Sequence, residues 1–165
     1  MVRKAAPQTS RFFHFEASAE DTRFEDGAVF TGDLGELGAD GRLTLVGRKK
    51  STIVAHSGVK VQPELIEKRL EESNRVSTAV LISLDSGRKL GIVLQLTETL
   101  APHLRPHLEA EARTLVEAMA PAFKNHLNIV MTTEEFSAEN GLLTRNLKIS
   151  RDGVRQRFFS QHGTD

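Results

Sequence analysis

Gly47-Arg-Lys-Lys-Ser-Thr-Ile-Val-Ala-His-Ser-Gly-Val-Lys-Val-Gln-Pro-Glu-Leu-Ile-Glu67 decides how the chain is read. It opens on a dense positive cluster, Arg48, Lys49 and Lys50. The β-branched pair Ile53 and Val54 follows, then a small-residue turn at Ser57 and Gly58. Pro63 stands where a helix begins, with Glu64 and Glu67 as carboxylates near the positive end of the helix dipole. The stretch therefore predicts a basic corner, a short strand, a glycine loop and a helix start. A basic corner beside a glycine loop suits a phosphorylated ligand.

Before this stretch, Phe30-Thr-Gly-Asp-Leu-Gly35 ends a short β-forming run, Val29 to Thr31. A carboxylate at such a strand end is able to accept hydrogen bonds from both hydroxyls of a ribose. Read alone, Asp33 is a turn-capping residue, because Gly-Asp-Leu-Gly is turn chemistry. Residues 35–41 read as a turn-rich connector, and Leu43 to Val46 as a second strand. Together they predict a hairpin over residues 28–47. Residues 1–19 read as a loose tail or a strand cut from its neighbours, and Asp26-Gly27 as a turn.

Beyond the stretch, Leu65, Ile66, Arg69 and Leu70 give residues 63–73 an amphipathic helical spacing. The runs Ser77–Ser83 and Leu90–Leu96 are continuously apolar and predict two central strands joined by the turn Asp85-Ser86-Gly87. Leu108, Ala112, Leu115, Val116 and Met119 recur at helical spacing over 105–119. Leu127–Met131 predicts a third strand, Phe136 anchors a polar connector, and Asn140-Gly141 marks a tight turn. Residues 142–151 read as a loop or irregular strand, Asp152–Phe159 as a terminal helix, and Ser160–Asp165 as a frayed end. From residue 52 the order is strand, helix, strand, strand, helix, strand, helix. That order predicts an α+β fold, a small three-stranded sheet with helices on one or both faces, preceded by the hairpin.

Composition narrows the function classes. The 165 residues suit one domain, and 22 basic residues balance 22 acidic ones, so no global field draws the chain to nucleic acid or an anionic surface. There is no cysteine, which removes disulfides, thiolate metal sites and cysteine nucleophiles and fits a cytoplasmic setting. No apolar run approaches the roughly 18 residues of a membrane span, so no transmembrane segment is expected. Arg3 and Lys4 precede no apolar stretch, so no secretory signal is read. His103 and His107 stand four apart without a carboxylate or cysteine partner, and Pro106 lies between them. No metal site is read there.

The order Thr31-Gly32-Asp33, Gly41-Arg42-Leu43, Gly47-Arg48-Lys49-Lys50, Gly58 and Pro63-Glu64-Leu65-Ile66-Glu67 resembles the adenylate-forming superfamily. That superfamily holds the acyl-CoA synthetases, the luciferases and the adenylation domains of peptide synthetases. Near the C-terminus, Glu139-Asn-Gly-Leu-Leu-Thr-Arg-Asn-Leu-Lys-Ile-Ser-Arg151 resembles the ending of its long-chain acyl-CoA synthetases. The resemblance spans roughly residues 20–155 and covers only the last part of such an enzyme. It implies that residues 1–49 are the tail end of a large N-terminal domain and that residues 50–165 are a mobile C-terminal lid.

The resemblance also implies roles. Asp33 holds the ribose hydroxyls, and Arg48 reaches ribose or phosphate oxygens with its fixed fork of donors. Lys50 stands at the hinge. Gly58 lies in the loop that lines the pantetheine channel during thiol transfer, with Lys60 nearby. Lys148 bridges the reacting carboxylate and the ATP α-phosphate, a task for a mobile ammonium where charge develops. On their own, Arg48, Lys50 and Lys148 read as solvated surface charges and Gly58 as a turn glycine. Arg145 stands where the family commonly carries proline, and the Ser-Gly-Lys form of other branches is absent.

The implied chemistry joins a carboxylic acid to a thiol at the expense of ATP, releasing AMP. ATP and CoA are substrates, and the long-chain likeness points to a long-chain fatty acid. The superfamily's phosphate loop and its Tyr-Gly-x-Thr-Glu string are missing, and the chain has no tyrosine. The expectation is therefore a piece of a longer enzyme, an expressed domain or the product of a truncated or split gene. It would be inactive alone and would need the large N-terminal adenylation domain in cis or in trans. Mg2+ is expected only with that domain. The competing expectation is a stand-alone, non-catalytic module that binds a nucleotide or a partner.

Overall fold

The computed structural model describes residues 2–3, 23–25 and 28–160, and contacts divide the chain into two units, Met1–Ser51 and Thr52–Asp165. Most of the expected tail, the Asp26-Gly27 turn and residues 161–165 lie outside the described residues.

In the first unit, β1 (Val2–Arg3), β2 (Arg23–Glu25) and β3 (Ala28–Phe30) form an antiparallel sheet in the order β1-β3-β2. A separate hairpin joins β4 (Asp33–Leu37) to β5 (Leu43–Arg48), with a register shift at Leu34/Gly35. The expected hairpin is therefore displaced. Its first strand is Asp33–Leu37, in the segment read as a connector, and Ala28–Phe30 pairs with β1 and β2 instead. Gly32, at φ 76°, turns the chain between β3 and β4, so the two strands do not run on as one. A single 3-10 turn, Lys49–Ser51, closes the unit.

The second unit begins with a two-stranded hairpin, β6 (Ile53–Val54) with β7 (Lys60–Val61). Helix α1 (Pro63–Glu71) follows with Pro63 in its first turn, where the missing N–H costs nothing. The main sheet contains β8 (Val76–Leu84), β9 (Lys89–Leu96) and β10 (Leu127–Thr132) in the order β10-β9-β8. β8 and β9 are antiparallel across the tight Asp85–Gly87 turn. β9 and β10 are parallel, and α2 (Arg105–Met119) makes the crossover that a parallel pair requires. Helix α3 (Arg151–Phe159) ends the unit, with the Ser150 hydroxyl accepting the Gly153 N–H at 3.1 Å as an N-cap.

Both faces of this sheet are covered. On one, Ala79, Leu81, Ile92 and Leu94 pack with Ile66 and Leu70 of α1 and Leu108, Ala112 and Val116 of α2. On the other, Val80, Ile82 and Val93 pack with Leu142, Val154 and Phe159. Phe136 joins that second layer, stacked on Phe158 with ring centroids 6.5 Å apart.

One expectation changes here. β9 is central, but β8 is at the sheet edge. Its apolar run follows from burial on both faces, not from two strand neighbours. Four backbone groups along the outer side of β8 are met by side chains. Glu71 accepts the Ala79 N–H at 2.9 Å, and Glu67 accepts the Leu81 N–H at 2.7 Å. From α3, Arg151 donates to the Leu81 carbonyl at 2.5 Å and Arg155 to the Ser83 carbonyl at 3.4 Å. An edge capped in this way offers no ladder to another strand.

The start of α3 approaches the Asn140-Gly141 turn so closely that a Cβ on Gly153 would overlap the Gly141 carbonyl oxygen. Gly153→Ala is expected to lower the unfolding free energy by about 1–3 kcal/mol, the range for overpacking. A lower urea midpoint at an unchanged slope is the measurement that checks it.

Candidate functional site

Within the first unit, Asp33 and Arg48 are register partners across β4 and β5. The Arg48 Nε lies 3.2 Å from an Asp33 carboxylate oxygen. The Asp33 N–H donates to the Thr31 hydroxyl at 3.3 Å, and the Lys49 N–H donates to the Gly32 carbonyl at 2.8 Å. The Thr31-Gly32-Asp33 corner and the exit of β5 are thus tied together. The arrangement puts an acceptor for hydroxyls next to a fork of donors for oxyanions. Lys50 follows in the 3-10 turn and is exposed.

In the second unit, Gly58 is exposed in the turn between β6 and β7, at φ 85°. The Gly58 N–H donates to the Ala55 carbonyl at 2.7 Å, and the Ala55 N–H to the Val59 carbonyl at 2.8 Å. This turn rests on the one between β8 and β9, because the His56 N–H donates to the Gly87 carbonyl at 2.8 Å. A Cβ on Gly87 would collide with the Val54 carbonyl oxygen, so glycine is what lets the two turns meet. Lys60, which opens β7, is exposed.

Lys148 is exposed on the loop between Leu142 and Ser150. The loop is closed on itself. The Thr144 N–H donates to the Lys148 carbonyl at 2.7 Å, and the Leu147 N–H to the Thr144 carbonyl at 2.9 Å. The Lys148 N–H donates to the Thr144 hydroxyl at 3.2 Å, and Leu143 bridges Ile149. Fully buried Leu142 anchors the entry, and Asn140 accepts the Ser137 and Leu142 N–H groups at 3.1 and 3.2 Å. The turn at Arg145 is thus held by Thr144 without a proline.

The exit of that loop is fastened by a residue pair that the sequence reading missed. Arg151 forks onto both carboxylate oxygens of Glu67, at 2.5 and 3.0 Å. Glu67 had been expected to serve the helix dipole; instead it is 8% exposed and links α1, β8 and α3. A signal was present. Pro63, Ile66, Glu67 and Leu70 are the buried face of α1, so a carboxylate shares helical spacing with apolar neighbours.

The fold thus brings Asp33 and Arg48 together, with Lys50 two residues on. Gly58 and Lys148 stand on different loops of the second unit. Among the described residues, no three metal-ligating side chains gather, and no helix is long and apolar enough to cross a membrane.

No protein-family model matches the chain. Curated relatives do. The long-chain-fatty-acid–CoA ligase FadD15 of Mycobacterium tuberculosis is 30% identical over 156 residues, covering 83% of this chain and 26% of the relative. The chloroplastic long-chain-fatty-acid–[acyl-carrier-protein] ligase AEE15 of Arabidopsis thaliana is 25% identical over 175 residues, covering 96% of this chain and 24% of the relative. The chain therefore spans about a quarter of the length of these relatives. Among solved structures, the A-PCP didomain of the carboxylic acid reductase from Segniliparus rugosus, in complex with AMP, shares the fold. Its TM-score is 0.62 at 20% identity, covering 89% of this chain and 21% of that one.

Proposed function

The chain belongs to the adenylate-forming enzymes, matching their C-terminal part and standing beside the long-chain fatty-acid–CoA ligases, and from that premise we propose that it is the hinge and lid of an AMP-forming acyl-CoA synthetase. In this reading residues 1–49 end the large domain and residues 50–165 form the lid. A carboxylate oxygen of the acid attacks the α-phosphorus of ATP, and pyrophosphate leaves. The sulfur of CoA then attacks the acyl carbon, and AMP leaves. Lys148 stands by the first transfer, where charge moves onto the bridging oxygens. Lys50 absorbs the rotation between the two steps, and the Gly58 loop lines the path of the thiol in the second. Asp33 takes the ribose hydroxyls, and Arg48 takes ribose or phosphate oxygens.

What carries the reading is the exposed ammonium of Lys148 on a loop whose ends are both fastened. Such a group is free to reach outward from a fixed base. The acid pocket and the Mg2+ ligands belong to a large domain supplied in cis or in trans. A long-chain fatty acid is the acid proposed, and the chain alone is proposed to be inactive.

The test joins the full chain behind the large domain of the M. tuberculosis relative, in place of that enzyme's own C-terminal part. Acid-dependent AMP release is then measured, with the relative's own C-terminal part as the positive control. Activity in the control and none in the chimera overturns the proposal. Isothermal titration of AMP into the isolated chain provides the second arm. Micromolar binding without turnover in the chimera would favour a non-catalytic module.

Asp33 separates binding from stability. The Arg48 side of its ion pair is 61% exposed, so Asp33→Ala should change the unfolding free energy by about 1 kcal/mol or less. In the chimera the same change is expected to raise the KM for ATP by about tenfold, the worth of a hydrogen bond to a charged group. Steady-state kinetics at varied ATP, alongside urea unfolding of the isolated chain, check both halves.

A further inference from the structure

Leu147 bears two costs that its own side chain does nothing to offset. Its φ is 56°, in the left-handed region where a branched, bulky side chain is strained. It is also 74% exposed, so its apolar surface gains nothing from burial. The other non-glycine residues with positive φ among those described are Asp85, Ser86 and Asn125, all polar turn formers. Leu147 is the apolar exception, and it directly precedes Lys148. Anchoring does not explain it, since Leu142 already secures the loop from inside and Ile149 packs against the same core layer. Glycine would suit the turn better, and asparagine would suit the solvent better. Strain held next to a reacting group is a sign of function.

We propose that Leu147 is a positioning residue. During the adenylation step its side chain seats against an apolar wall of the large domain and sets Lys148 over the reacting carboxylate. This rests on the assignment of Lys148 above. The contact is made outside the chain's own core, which is why the fold leaves the leucine uncovered. It is broken when the lid turns for thiol transfer, so the two half-reactions should feel its loss unequally.

The experiment uses the chimera with the M. tuberculosis large domain, palmitic acid as substrate, and three variants. Leu147→Gly and Leu147→Asn are each expected to lower the rate of adenylate formation about five- to tenfold, with thiol transfer from preformed palmitoyl-adenylate unchanged. Leu147→Met should restore most of the rate, since it returns an apolar side chain of similar volume. The urea midpoint of Leu147→Gly in the isolated chain should not fall, because glycine relieves the left-handed turn. Full activity of the glycine variant, equal losses in both steps, or no rescue by methionine each overturns the proposal. A KM for the acid that rises with chain length would place Leu147 on the substrate and overturn it as well. The parallel variant Lys148→Ala separates the two levels. If it is inactive while Leu147→Gly is fully active, only the role of Leu147 fails. If Lys148→Ala is active, the lid assignment fails with it.

Discussion

Replacing Lys148 by alanine is expected to cut acid-dependent adenylate formation in the chimera by about 10²- to 10³-fold, the effect of deleting a charge-stabilising group from a reacting centre. The fold should not notice. The loop is held through the backbone of residue 148, whose N–H meets the Thr144 hydroxyl and whose carbonyl meets the Thr144 N–H, and alanine keeps both bonds. The side chain itself is exposed. Urea midpoints of the isolated chain should therefore coincide. Lys148→Arg should recover only part of the rate, because a planar fork does not replace a compact, rotatable ammonium. Hydrolysis and thiol transfer of a preformed adenylate should continue near the parent rate. An alanine variant with an unimpaired first step would remove the reason for assigning Lys148 any chemistry.

The second large effect concerns stability. Glu67→Ala is expected to lower the unfolding free energy by about 2–4 kcal/mol, somewhat below the range for breaking a fully buried ion pair, since Arg151 is partly solvated. The Glu67 carboxylate receives the Leu81 N–H and both arms of the Arg151 fork. Removing it leaves a strand amide without its partner and a guanidinium without its counter-charge. Arg151→Leu should cost a comparable amount, because the Glu67 carboxylate is then buried without its cation. The double change Glu67→Ala with Arg151→Leu should be less damaging than the sum of these two single changes. Denaturant unfolding of the four proteins gives the cycle. Additive losses would mean that the two residues do not depend on one another.

Much of the second unit was legible because its segments declare their periods. The apolar spacing of Leu108, Ala112 and Val116 marks α2, and the β-branched runs mark β8 and β9. Pro63 marks the start of α1. The first unit was less legible. Asp33–Leu37 holds one glycine and two charges in five residues, which is the composition of a turn, yet it is a strand because β5 pairs with it. The edge position of β8 was hidden for the opposite reason. Covered faces make any strand look central, and sequence does not reveal which side chains will cap an edge.

The site divides in the same way. Asp33, Arg48, Lys50, Gly58 and Lys148 stand out by resemblance, and the fold adds that the first two face each other. The supports were not legible. Glu67 and Arg151 are paired across most of the second unit, and no local spacing reveals that partnership. Gly153 and Gly87 are needed because another backbone passes close by, which no single segment discloses. Leu147 looked like any leucine until its φ and exposure were known.

The clasp between Glu67 and Arg151 has a consequence for the order of assembly. Its two halves are 84 positions apart, whereas the β8–β9 hairpin needs only a four-residue connection, residues 85–88. Local pairing precedes distant closure, because long loops lose more entropy on closing. A chain emerging from the ribosome would thus complete its hairpin and α1 well before residue 151 arrives. Residues 151–160 would act as the latch on a body already formed, and a stop just ahead of them would leave the Leu81 and Ser83 carbonyls of the sheet edge without their arginine donors.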